Sequence, residues 1–224
     1  RKYSWPNLLG KEVFNRENLD YNGISINSKT LKKNNLFFAI KGKNVDGHNF
    51  IKEAIQNGAS KCIVSKKIKI YPQNKIIKVK NTFSDFNNLA KTARKFSEAK
   101  IIGITGSAGK TTLKNLTSFV LKNYGNVHSS PHSYNNKFGV PFSLSNLKSN
   151  TEYGVFEIGM DKRGEIDYLS KMVMPEVAVI TNITEAHLEN FNTIKDIANA
   201  KSEIINNISK DGSIILNKDD KFFN

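Results

Sequence analysis

Apolar positions along the chain fall into two successive rhythms. Short apolar runs at Leu36 to Ile40, Lys61 to Val64 and Ile76 to Val79 read as strands. Between them, helical spacing appears at Phe50 to Asn57 and Ser84 to Ser97, with Ser84 placed to cap the second helix. After Ala99 the alternation becomes regular. Strand Ile101 to Thr105 leads to helix Thr111 to Asn123, strand Tyr153 to Ile158 to helix Glu165 to Met172, and strand Val177 to Ile183 to helix Thr193 to Ile208, before a last strand at Ser213 to Leu216. Strands that alternate with helices imply right-handed crossovers and a parallel sheet covered on both faces. The expected fold is therefore α/β: a small α/β domain over residues 1–98, followed by a mostly parallel-sheet domain over residues 99–224. The chain opens without Met and stops soon after a strand, at Asn217-Lys218-Asp219-Asp220, so a piece of a longer protein, truncated within its second domain, is expected.

Composition narrows the class. No apolar run approaches the roughly 18 residues needed to span a bilayer, and the opening segment Arg1 to Gly10 lacks the apolar core of a signal peptide, so a cytoplasmic protein with no membrane insertion is expected. Cys62 has no cysteine to pair with and sits in the apolar stretch Cys62-Ile63-Val64, where a buried structural thiol is expected. The formal charge of +14 raises the question of nucleic acid. Its distribution answers it: residues up to Ala99 carry 20 basic and 7 acidic side chains, and those from Lys100 onward carry 14 and 13. An excess confined to the first segment of a Lys-, Asn- and Ile-rich chain reads as solvated surface lysine, with attraction of an anionic substrate as the second reading. No nucleic-acid partner is expected.

The strongest chemical signal is Gly103-Ile104-Thr105-Gly106-Ser107-Ala108-Gly109-Lys110-Thr111-Thr112, set between an apolar strand and an amphipathic helix. Glycines let backbone N–H groups approach phosphates, and the helix N-terminus adds positive potential. Lys110 is then the partner of the β- and γ-phosphates, with a threonine hydroxyl in reach of Mg²⁺. The glycines stand at 103, 106 and 109, whereas the commonest form wants one at position 104, where this chain has Ile104. Glu157 ends the apolar strand after this loop, and a carboxylate among buried neighbours is costly unless paired or bound to a metal. Ligands of open parallel sheets gather beyond the carboxyl ends of the strands, which favours a Mg²⁺ role for Glu157. His187 follows the next strand and reaches the same rim, although a lone histidine more often serves the surface or core. Lys201 falls on the apolar stripe of its helix, four residues from both Ile197 and Ile205. Snorkelling of its stem to solvent is the favoured reading, and a desolvated amine of lowered pKa is the alternative.

Further ordered segments accompany these residues. They are Ser28-Lys29-Thr30, Leu36 to Gly42, Asp46-Gly47-His48-Asn49-Phe50, Tyr134-Asn135-Asn136 with Gly139-Val140-Pro141, Glu157-Ile158-Gly159-Met160 with Gly164-Glu165-Ile166, Asn182 to Glu189, and Ala200-Lys201-Ser202-Glu203-Ile204. Together with the glycine-rich loop they resemble the Mur ligase family over nearly the whole chain, and within it the branch that acts on D-alanyl-D-alanine. The resemblance implies an ATP-dependent amide ligase of peptidoglycan precursor synthesis, which joins D-alanyl-D-alanine to a UDP-N-acetylmuramoyl-tripeptide through an acyl phosphate. It implies two Mg²⁺ sites and a monomer. It further implies that residues 1–98 bind the uridine nucleotide through Ser28, Lys29, Thr30, Asp46, Gly47 and His48. Residues 106–112 (Gly106, Ser107, Ala108, Gly109, Lys110, Thr111, Thr112) would hold ATP, with Thr111 and Glu157 on one Mg²⁺ and His187 with a carbamylated Lys201 on the other. Asn135 and Asn136 would meet substrate, and Lys110, His187, Lys201 and Asn136 would form the catalytic set. A third, C-terminal domain of the family is absent from this sequence, so these residues alone are expected to be inactive. Lys29 replaces a usual arginine, Ser133 a frequent asparagine, and Asp161-Lys162-Arg163 a more usual Asn-His-Pro. A folylpolyglutamate-type or other amino-acid ligase is the alternative, separated by the uridine-binding segment that such relatives lack.

Overall fold

The computed structural model describes residues 5–15, 19–69, 72–185 and 188–223. The chain forms two compact units, Arg1–Phe96 and Ser97–Asn224. Among the described residues no helix is long and apolar enough to cross a membrane.

The first unit runs α1 (Trp5–Phe14), β1 (Gly23–Ser25), β2 (Asn35–Phe38), α2 (Ile51–Gln56), β3 (Lys61–Val64), β4 (Ile76–Lys78) and α3 (Thr82–Phe96). Its four strands form one sheet in the order β1-β2-β3-β4, every pair parallel. Successive residues of a strand face opposite sides, so a strand apolar at every position is covered twice. In β2, Phe37 packs with Cys62, Val64 and the α2 residues Ile51 and Ala54. Phe38 turns away to meet Phe86 of α3, ring centroids 5.5 Å apart. Burial of a side chain of this size contributes about 2–3 kcal/mol. Cys62 lies inside this layer, and burial pushes its thiol up to about 12, as suits an inert packing residue.

Two sequence expectations shift here. The third helix begins at Thr82, and its cap is Asn81, whose Oδ1 accepts from the N–H groups of Phe83 and Ser84 at 3.0 Å each. Ser84 lies inside the helix because Asn81 already satisfies these first-turn donors, while Thr82 points inward to donate to Ala39 O at 3.0 Å. The second helix is shorter than its pattern, since Gly47–Phe50 forms a 3-10 turn ahead of it.

The second unit runs β5 (Lys100–Thr105), α4 (Lys110–Leu121), β6 (Val127–Ser129), α5 (Gly139–Ser145), β7 (Tyr153–Glu157), α6 (Glu165–Val173), β8 (Val177–Ile180), α7 (Ile194–Ser202) and β9 (Ser213–Leu216). The sheet order is β6-β7-β5-β8-β9, all parallel. The strand order changes direction around β5: the chain leaves it toward β6 and β7, then returns to its other side with β8 and β9. Ligands of such sheets bind at this switch, beyond the strand ends.

Two details differ from the periodicity. The strand expected to reach Ile183 ends at Ile180, and Thr181 onward forms a loop instead. The helix expected from Thr193 to Ile208 breaks after Ser202 into a 3-10 turn, Glu203–Asn207. At the start of this turn the Glu203 carboxylate accepts from Gly164 N and Asp167 N at the start of α6. Thr193 caps α7 through a reciprocal capping box with Asp196.

Candidate functional site

The loop between β5 and α4 is fixed from below by the segment after β8. Asn182 O accepts from Ser107 N and its Oδ1 from Ala108 N, each at 2.9 Å. Thr181 Oγ1 donates to Ala108 O at 2.6 Å, and Ser107 Oγ and Thr184 exchange hydrogen bonds of 2.9 and 3.0 Å. Gly106 takes φ +144°, and a Cβ there would lie 1.9 Å from Thr181 Oγ1, so only glycine fits beneath this clasp. Gly109 takes φ +79° with nothing within 4 Å of its Cβ position, and α4 starts at once with Lys110. The first-turn amides of α4 have no intrahelical acceptor and face outward with the positive end of the helix. This is an anion cradle by construction. Lys110 Nζ donates to Gly106 O at 2.8 Å and to Ser107 O at 3.3 Å, so the ammonium lies over the loop. Burial lowers its pKa, and Glu157 acts in the opposite direction.

Glu157 ends β7 opposite Ile104 of β5, at 1% exposure. Its carboxylate is held on every side. Thr111 Oγ1 donates to Oε2 at 2.8 Å, Asn135 Nδ2 donates to Oε1 at 2.8 Å, and Lys114 Nζ stands 3.7 Å from Oε2. Its own N–H donates to Ser130 Oγ at 3.3 Å. Thr111 Oγ1 also lies 3.2 Å from Ser133 Oγ. Thr111 Oγ1 and Glu157 Oε2 are hard oxygen donors, and their 2.8 Å spacing is near the edge of about 3.0 Å that an octahedron with metal–oxygen bonds of about 2.1 Å requires. The pair is therefore chemically able to hold a hard divalent cation. Among the described residues no group of three or more His, Cys, Asp or Glu side chains gathers as a metal site, here or elsewhere.

The other predicted residues of this unit divide. Lys201 is 3% exposed, which overturns the snorkelling reading: its side chain is turned inward, on a helix whose Ile197 is also fully buried. Burial and then the charge of Lys110 lower its pKa from an ordinary 10.5 to about 8. Lys201 thus joins Lys110 and Glu157 in one electrostatic neighbourhood. Asn135 is engaged with Glu157 through its side chain and receives Gly159 N at 2.8 Å on its carbonyl. Asn136 Oδ1 accepts from Phe138 N and Gly139 N at 3.0 Å each and so caps the turn into α5. Thr112 is exposed on the first turn of α4. His187 lies outside the described residues.

In the first unit the predicted residues follow the carboxyl ends of β1 and β2. Ser28 donates to Glu53 Oε2 at 2.8 Å, while Lys29 and Thr30 are exposed. Ser65 N donates to His48 Nε2 at 3.0 Å, so that nitrogen carries the lone pair and Nδ1–H faces Asp46 Oδ1 at 2.6 Å. Lys66 Nζ meets Asp46 Oδ2 at 2.5 Å, and this contact leads in holding the Asp46 carboxyl well below the usual carboxylate range. Gly47 is required because a Cβ there would lie 2.7 Å from Ile40 N. His48 and Gly47 therefore shape the loop, and Lys29 offers the exposed charge.

Lys114, Ser130 and the bracing action of Asn182 were not among the residues expected from the sequence, whereas Ser133 was noted only as a replacement for a frequent asparagine. A hydroxyl or amide immediately after an apolar strand end, as at Thr181-Asn182, was the available signal.

Residues 20–102 match the family profile described as "Mur ligase family, catalytic domain", and residues 104–224 match "Mur ligase middle domain". The chain is 42% identical over 216 residues to the UDP-N-acetylmuramoyl-tripeptide--D-alanyl-D-alanine ligase of Rickettsia prowazekii (strain Madrid E), covering 96% of this chain and 47% of that protein. A crystal structure of MurF from Acinetobacter baumannii superposes with TM-score 0.85 at 31% identity, covering 98% of this chain and 50% of the other. MurF ligase from Thermotoga maritima, in complex with ADP, superposes with TM-score 0.76 at 33% identity, over 91% of this chain and 47% of the other. The chain spans about half the length of the curated relatives it matches.

Proposed function

Because this chain belongs to the Mur ligase family, we propose that the complete protein is the ATP-dependent ligase that joins D-alanyl-D-alanine to a UDP-N-acetylmuramoyl-tripeptide. The carrying observation is the cluster in which Thr111 and Asn135 both bond the buried Glu157 beside the Lys110 loop. The relatives of similar sequence and fold carry the name of this ligase. On this reading residues 1–98 receive the uridine nucleotide and residues 99–224 receive ATP.

The chemistry is a phosphoryl transfer followed by an acyl transfer. The terminal carboxylate of the tripeptide attacks the γ-phosphorus of ATP, an O–P bond forms, and ADP leaves. The amine of D-alanyl-D-alanine then attacks the acyl-phosphate carbonyl, loses a proton, and expels inorganic phosphate. Lys110 and the amides of residues 109–112 bind and orient the β- and γ-phosphates, so that charge moving between oxygens meets fixed donors. Thr111 and Glu157 would hold one Mg²⁺, which when bound neutralises phosphate charge. Lys201, with an amine that is neutral in a large fraction of molecules near pH 8, adds to carbon dioxide with loss of a proton. The resulting carbamate would hold a second Mg²⁺ with His187. Asn136, with Asn135, orients the tripeptide carboxylate, and Ser28, Lys29, Thr30, Asp46, Gly47 and His48 build the uridine-nucleotide end, with Lys29 meeting the diphosphate. On this reading the protein acts in the cytoplasm as a monomer, on the anionic UDP-tripeptide and the zwitterionic dipeptide and without nucleic acid.

The test is phosphate release by the complete protein. Release that requires ATP, the UDP-tripeptide and the dipeptide together is expected. Equal release with ATP alone would reduce the protein to an ATPase and overturn the reading.

A further inference from the structure

Among the described residues of the second unit Lys114 is the most deeply buried cation, at 1% exposure, and none of the roles above uses it. It stands one helical turn beyond Lys110 and three residues beyond Thr111, on the inner face of α4. Its Nζ lies 3.7 Å from Glu157 Oε2 and also donates to the His132 carbonyl. Taking an ammonium out of water is unfavourable unless a counter-charge and hydrogen-bond acceptors meet it, and Glu157 and His132 are those two groups. His132 itself sits at φ +47°, a conformation costly for a histidine, at the start of the turn that carries Ser133, Asn135 and Asn136. One buried ammonium therefore ties the phosphate-loop helix, the end of β7 and this turn together.

We propose that Lys114 is a positioning residue that locks the Glu157 carboxylate and the 132–136 turn to the phosphate-loop helix, and that its charge moderates the grip of Glu157 on a divalent cation. The proposal rests on the nucleotide-and-Mg²⁺ reading of the site and adds a residue to it. An ammonium within ion-pair distance competes with any cation for the same carboxylate, so the pair holds Glu157 in place without letting it bind Mg²⁺ at full strength. The carbonyl contact works on a different object: it sets the turn that presents Asn135 and Asn136.

Two substitutions separate these actions. Lys114→Met removes the charge and the donor; Lys114→Gln removes the charge and keeps an N–H donor. Binding of a fluorescent ADP analogue to the complete protein, titrated with MgCl₂, reads cation affinity without turnover. Both variants are expected to half-saturate at a Mg²⁺ concentration at least fivefold lower than wild type. In the ligase assay, kcat should fall tenfold or more in Lys114→Met and less in Lys114→Gln, with KM for ATP within threefold in both. A merely structural residue would leave the Mg²⁺ midpoint unchanged or raise it, and that result in a folded variant overturns the proposal. If Lys114→Met does not fold, Lys114→Gln decides; if neither folds at 25 °C, Lys114 is structural and the proposal fails. Wild-type nucleotide binding that ignores Mg²⁺ would instead sink the cation site itself, a failure distinct from that of Lys114.

Discussion

Glu157→Gln keeps the shape of the side chain and deletes its charge, which isolates what the carboxylate contributes to the fold. Gln can still accept from Thr111, but Lys114 at 1% exposure then has no counter-ion, and Asn135 Nδ2 faces either an oxygen or another N–H. Unit charges 3.7 Å apart attract by roughly 4–5 kcal/mol at an effective dielectric of about 20. Part of that attraction offsets desolvation, so removal of one partner from a buried pair costs about 3–5 kcal/mol. The 3.7 Å spacing is longer than a direct hydrogen bond, which puts the expected loss near the lower end, about 3 kcal/mol. For a chain of this size that corresponds to a melting-temperature drop of about 6–12 °C. Urea titration of both the variant and the Glu157→Gln/Lys114→Met pair measures it, and the double variant should regain about 2 kcal/mol through the coupling of the two sites. A Glu157→Gln loss below about 1 kcal/mol, or additive behaviour of the pair, would refute the idea that this ion pair organises the site.

Gly106→Ala drives a Cβ to 1.9 Å from Thr181 Oγ1 at φ +144°, so it should abolish nucleotide binding and lower the melting temperature, read by differential scanning calorimetry. In buffer free of carbon dioxide, where it stays an unmodified amine, Lys201 gives a pH signature. Its folded value of about 8 lies below 10.5, so between these pH values the folded chain binds fewer protons than the unfolded one, and stability rises with pH across that window. The span corresponds to about 3 kcal/mol, and Lys201→Met should remove that rise when the two stability–pH curves are subtracted.

The alternation of strands and helices after Ala99 was legible because each element carries an unbroken apolar pattern, and the glycine-rich loop declared itself by residue type. What escaped did so for local reasons. β1 and β6 are three residues each, too short for a period to show, and α5 reads as a loop because Gly139 and Pro141 stand in it, although Pro141 sits in the first turn where its missing N–H costs nothing. The stripe through Ile204 and Ile205 promised one helix to Ile208, but an apolar stripe does not distinguish an α-helix from the 3-10 turn that follows Ser202, where Glu203 and Asn207 bond to α6. Lys201 stood out on its stripe, but Lys114 did not: its burial depends on Glu157 and His132, which are distant in sequence, and no pattern within α4 announces them. Asn135 and Asn136 were legible as candidates through resemblance, while their present bonds to Glu157 and to the start of α5 follow only from the packing of the 130–136 turn.

A crystal structure of the complete protein with a non-hydrolysable ATP analogue and Mn²⁺ in place of Mg²⁺ tests the convergence directly. Anomalous scattering should locate a Mn²⁺ bonded to Thr111 Oγ1 and a Glu157 carboxylate oxygen, with the β- and γ-phosphates on Lys110 and the first-turn amides of α4. Phosphates bound away from Gly109, or a metal that ignores both oxygens, would contradict the account.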